Sequence, residues 1–123
     1  MSEKSIDFIH RLVAAFPPLE LDYEAHIENN GEVLPHMFLV LDLMPTLVSA
    51  YLGDPEYQDV DWLGVLGFLD RELAADPAPG EIRGAILTSF VDNLPGSDQL
   101  GYGIHRHLGP NLAEAFWSKF PNG

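Results

Sequence analysis

The chemistry open to this chain is set first by the side chains it lacks. None of its 123 residues is a cysteine, which excludes disulfides, thiolate metal sites and cysteine nucleophiles and leaves carboxylates, histidines and hydroxyls. His105-Arg106-His107 is the tightest cluster of metal-ligating side chains. On a helix these two histidines point about 200° apart and cannot share a metal. On an extended segment they could, with His10, His26 or His36 as third ligand, and this defines the one enzymatic reading: a metal-dependent enzyme using His105, His107 and nearby carboxylates. Carboxylate pairs for hydrolysis can be drawn at will from 19 acidic residues, so their availability points nowhere. There is no P-loop, no GxGxxG after a strand, no GxSxG, no HExxH and no EF-hand loop, and the glycines of GYGIHRHLG fit none of these. The expectation is a non-enzymatic protein with no cofactor and no metal.

Charge is the stronger signal. Nineteen acids against six bases give a formal charge of −13, which argues against nucleic acid or an anionic membrane as a direct partner and favours a basic macromolecule. From Leu12 to Asp70 there are eleven acids and no Lys or Arg, whereas residues 1–11 sum to zero and 71–123 to −2. Acids at this density also keep a small domain soluble; their uneven placement is what points to a partner. Two segments compete for that contact. One is the loop with Asp54, Glu56, Asp59 and Asp61 around Tyr57, expected to be an exposed aromatic anchor. The other runs from Glu20 to Glu32 and carries Glu20, Asp22, Glu24 and Glu28.

The elements that position these residues read as helices. WLGVLGFLDREL, residues 62–73, aligns Trp62, Val65, Leu66, Leu69 and Leu73 in one stripe with Leu63 and Phe68 on its flanks, predicting a central core helix buried on several sides and capped by Asp59 or Asp61. Gly64 and Gly67 then mark places where a second helix comes close. Residues 3–16 form an amphipathic helix ended by Pro17-Pro18. In 19–43 the alternation Leu21, Tyr23, Ala25, Ile27 before Asn30-Gly31 suits a hairpin, while Leu19, Tyr23 and Ile27 at i, i+4, i+8 suit a helix closed by a left-handed Gly31; the helix is favoured because its neighbours are helical.

Pro35 opens the next helix and Pro45 is expected to kink or break it. Asp42, inside that apolar run, occupies a narrow wet strip or is buried against Arg71 or Arg83, and Arg83 is expected in an internal ion pair. Residues 79–94 predict a helix pairing antiparallel with 62–73, Ser97 or Asp98 caps a weaker segment, and a last helix carries Leu112, Phe116 and Phe120. The fold class is all-α: a single-domain bundle, residues 1–123, of about six helices around the buried 62–73 helix, with α+β and a hairpin at 19–43 as the alternative.

The order and spacing of LPHMFL (34–39), WLGVLGFLDREL (62–73), ILTSFVDNLP (86–95) and HLGPNL (107–112) resemble a family of small acidic bacterial all-helical proteins associated with polymorphic-toxin immunity, over about residues 20–120. These are core and cap residues, so the resemblance implies a fold and a genomic role and carries over no functional residue. It implies a cytoplasmic immunity protein, monomeric or in a heterodimer with its toxin, that neutralises a basic toxin, a nuclease being the expected kind. The N-terminus, which lacks an apolar signal-peptide core, fits that location. A cytoplasmic adaptor or regulatory protein-binding module is the alternative.

Overall fold

The computed structural model describes residues 3–121, and every regular element among them is helical. Helix α1 (Glu3–Ala15) ends at a 3₁₀ turn, Pro17–Leu19, that leads directly into α2 (Glu20–Asn30). The hairpin is therefore absent. Gly31 adopts φ 78° and returns its N–H to Ile27 O at 2.7 Å, closing α2 with a left-handed cap. A hairpin would have buried Leu21 and Ala25 with Tyr23 and Ile27; instead Leu21 is 77% exposed and the inward face follows the helical period, with Leu19 buried and Tyr23 and Ile27 partly buried.

A short α3 (Pro35–Met37) passes without interruption into a π-helical turn, Phe38–Leu43, and then α4 (Met44–Tyr51). Pro45 does not break this rod. It occupies the first turn of α4, directly after the π turn, where Met44 N–H bonds Leu39 O five residues back. That wider turn relieves the crowding a proline ring causes against the preceding turn. Thr46, seven residues beyond Leu39, shares the inward face and is 3% exposed, its hydroxyl bonded to Asp22.

Helix α5 (Trp62–Ala75) is the predicted core helix, with Val65, Leu66, Leu69 and Leu73 buried. Asp61 caps it by accepting Gly64 N–H at 2.9 Å. One flank is open, however: Leu63 is 53% exposed. No second helix approaches Gly67, whose added Cβ would meet only Arg71 Nη1 at 3.3 Å, whereas Gly64 faces the Phe16 ring at 2.9 Å. What crowds Gly64 is the Asp61 cap of α5 itself and the Phe16 ring from the link after α1, so neither glycine marks the approach of a second helix.

The next rod starts at α6 (Glu81–Ala85), continues through a second π turn, Ile86–Phe90, and ends in a 3₁₀ turn, Val91–Asn93. The two π turns pack against each other, and α6 lies against both α1 and α5. Arg83 makes no ion pair among the described residues; its Nη1 donates to Leu73 O at 3.1 Å and satisfies the end of α5. Asp76 takes the complementary role, accepting Arg83 N–H at 3.0 Å and pairing with Lys4 at 2.6 Å, so the Lys4 ammonium and that N–H hold its carboxyl below the usual carboxylate range.

The segment after Pro95 is a 3₁₀ helix, Tyr102–His107, and it begins at Gly101 (φ 90°) rather than at a side-chain cap from Ser97 or Asp98. Helix α7 (Pro110–Lys119) buries Leu112 and Phe116 and leaves Phe120 36% exposed. Its cap comes from α5: buried Asp70 accepts Leu112 N–H at 2.8 Å and Asn111 Nδ2 at 3.1 Å. A carboxylate there meets the partial positive charge of the helix start.

Candidate functional site

The two acidic segments that compete in the sequence meet in space. Leu21 and Asp22 on the first turn of α2, Thr46 on α4, and Glu56, Tyr57, Asp59 and Val60 in the following loop line one groove of about 380 Å³, with Pro18 at its edge. The loop is shaped by its own acids. Asp54 accepts Glu56 N–H at 3.0 Å and so starts a 3₁₀ turn, Pro55–Tyr57, whose Tyr57 carbonyl receives Val60 N–H at 3.0 Å. That turn presents Glu56 and Asp59 to solvent and folds Tyr57 inward. Tyr57 is therefore half-buried in the groove wall and not the exposed anchor expected.

Asp22 is the most buried of the three groove carboxylates. It is half-buried, and Thr46 Oγ1 donates to its Oδ2 at 2.8 Å. Burial pushes its carboxyl above the usual range; the Thr46 bond opposes this, and the negative charge of Asp42 adds to it. No Lys or Arg lines the groove. It is an apolar-walled depression holding three carboxylates with no internal counter-charge.

Behind it lies a buried polar pair that the sequence did not suggest. His26, 1% exposed, sits 2.9 Å through Nδ1 from Asp42 Oδ2 and receives Leu34 N–H on Nε2 at 3.0 Å. Because Nε2 accepts, the proton is on Nδ1 and the ring is neutral. Asp42 is thus partnered by His26, not by Arg71 or Arg83, and its side chain keeps 24% exposure, intermediate between the wet strip and full burial.

The remaining residues are spread more widely. Asp54 and Asp61 are engaged as caps. Glu20 belongs to a neighbouring depression with His10 and Tyr23, and Glu24 and Glu28 are exposed on α2 outside the groove lining. His105 and His107 diverge: His105 is buried against Phe116, and His107 packs on Trp62 and Tyr51. Among the described residues no three His, Asp or Glu side chains converge to hold a metal ion, and no helix is long and apolar enough to cross a membrane. Sequence reading missed Pro18, Leu21, Thr46 and Val60 as groove residues; a threonine within an apolar run was the available signal for one of them.

No protein-family profile, characterised protein or solved structure matches this chain.

Proposed function

We propose that the protein is a non-enzymatic immunity protein that binds a basic toxin, a nuclease being the expected kind, and neutralises it through the acidic surface centred on this groove. The observation that carries the reading is the convergence of Asp22, Glu56 and Asp59, drawn from both acidic segments, around a depression whose lining has no cation. A half-buried carboxylate lacking a basic neighbour is unfavourable for the isolated fold and is improved by a cation from outside. The apolar walls suit the methylene stem of a Lys or Arg, and Tyr57 offers an aromatic face to its charged end. Beyond the groove, the exposed Glu24 and Glu28 extend the negative field and speed encounter with a basic protein.

The test is rescue. The protein encoded beside this chain's gene is expressed with and without it, and growth is followed. Expected are growth arrest by the neighbour alone, recovery with the wild-type chain, and loss of recovery when Asp22, Glu56 and Asp59 are all changed to Lys. Purified components should associate more slowly as salt rises, because the steering charges are exposed and screened. A neighbour without toxicity, or a triple variant that folds and rescues as well as wild type, refutes the proposal.

A further inference from the structure

A second concave site, on different elements from the acidic groove, lies between the 3₁₀ helix Tyr102–His107 and α7. Tyr102, Gly103, His105, Arg106 and Trp117 line a cavity of about 340 Å³. Its walls are largely aromatic: the Tyr102 and His105 ring centroids are 4.8 Å apart, and those of His105 and Trp117 are 6.0 Å apart. Trp117 is 39% exposed, a large apolar surface left facing solvent beside this opening.

Two polar groups in the wall lack the partners that their surroundings call for. His105 is only 7% exposed, and its Nε2 lies 2.7 Å from Pro95 O. A carbonyl only accepts, so Nε2 carries a proton and, in the neutral ring, Nδ1 is a lone-pair acceptor. That Nδ1 is buried and has no hydrogen-bond partner among the described residues; buried acceptors of this kind are rare in folded proteins. Arg106 is exposed and pairs with no carboxylate among the described residues, in a chain with 19 acids for six bases.

We propose that this cavity binds a small planar aromatic acid carrying an O–H or N–H donor, its ring packed against Tyr102 and Trp117, its carboxylate on Arg106 and its donor on His105 Nδ1. The net charge of −13 repels simple anions, so an inorganic ion held by Arg106 alone is disfavoured and the ring must supply much of the affinity. Because Nδ1 is sealed from bulk water, a side chain has to rotate to admit the donor.

The three hydroxybenzoate isomers serve as probes, since they vary the separation of donor and carboxylate, with benzoate and inorganic phosphate as comparisons. Binding is followed by titration calorimetry and by Trp117 fluorescence in a Trp62→Phe background, with circular dichroism confirming the fold. At least one isomer is expected to bind one-to-one and to move the His105 Nδ1 nitrogen resonance. Benzoate should bind about 3–10-fold more weakly for want of one hydrogen bond. Arg106→Gln, at an exposed position, should weaken binding about 10-fold, and phosphate should not compete. His105→Phe should bind benzoate and hydroxybenzoate equally. The proposal is overturned if no isomer binds saturably to the folded wild-type chain, if benzoate binds as well as every hydroxybenzoate, or if Arg106→Gln leaves binding unchanged. Should His105→Phe fail to fold, the benzoate comparison and Arg106→Gln still decide the matter.

Discussion

Replacing His26 by Phe separates the polar role of this buried ring from its packing role. The edge-on contact with Phe38, at 5.5 Å between centroids, is retained, while both ring nitrogens are lost. Leu34 N–H then has no acceptor in a largely enclosed site, a loss of about 1–3 kcal/mol, and Asp42 loses its Nδ1–H donor, about 0.5–1.5 kcal/mol because water still reaches part of that carboxylate. Together these give a destabilisation of about 2–4 kcal/mol. Asp42→Leu alone leaves the Nδ1–H unpaired; in the double variant that defect disappears and only Leu34 N–H stays orphaned. The double variant should therefore be about 1 kcal/mol more stable than the sum of the single effects. Urea denaturation followed by circular dichroism measures all four proteins. A loss below about 0.5 kcal/mol for His26→Phe, or strict additivity in the cycle, would show that the ring does not hold these two groups together.

Core packing is checked by Leu69→Ala, expected to lose about 2–5 kcal/mol in the same assay because Leu69 is fully buried on α5. The two α5 glycines should respond in opposite directions. Gly67→Ala gains about 0.5–1 kcal/mol from helix propensity, its Cβ meeting only a flexible arginine tip, and Gly64→Ala lowers the urea midpoint because its Cβ runs into the Asp61 cap and the Phe16 ring. The acid dependence of stability should divide by sign. Asp76, its carboxyl held low by Lys4 and Arg83 N–H, contributes stability above the usual carboxylate range and loses it as pH falls through its lowered value, so Asp76→Asn is less stable than wild type at neutral pH and equal to it well into acid. Asp22, its carboxyl raised by burial, behaves oppositely: Asp22→Asn is more stable at neutral pH, and the advantage shrinks as the wild-type carboxyl takes up a proton. Urea midpoints followed from about pH 7 down to about pH 2 test both.

Local rules gave much of the fold. The 3.6-residue stripe in 62–73, the Gly31 cap and the Asp61 cap depend on residues within a few positions of one another, and each is present as expected. What escaped is tertiary or register-dependent. The π turn at Phe38–Leu43 widens the helix directly before Pro45, so a proline that reads as a break in the sequence is carried within the rod. His26 could have been read as buried, since it lies seven residues beyond Leu19 on the inward face of α2; its acidic neighbours drew attention to the other face. The groove could not be read at all. Nothing in 20–28 or in 54–61 says that their first turns face each other, because that juxtaposition is made by the rod between them.

The Asp70 cap makes α7 a conditional helix. Isolated helices below about 12–15 residues are marginal in water; α7 has 10 residues, and the carboxylate that opens it lies 42 residues earlier in the chain. During synthesis α7 is therefore the last helix to settle, waiting for an α5 already in place. The groove lining is drawn entirely from residues 18–60, so its segments have all emerged before α7 is made. In the finished protein the same division ties the Asp70 cap to the helix that carries Trp117 of the aromatic cavity, and to no residue lining the acidic groove.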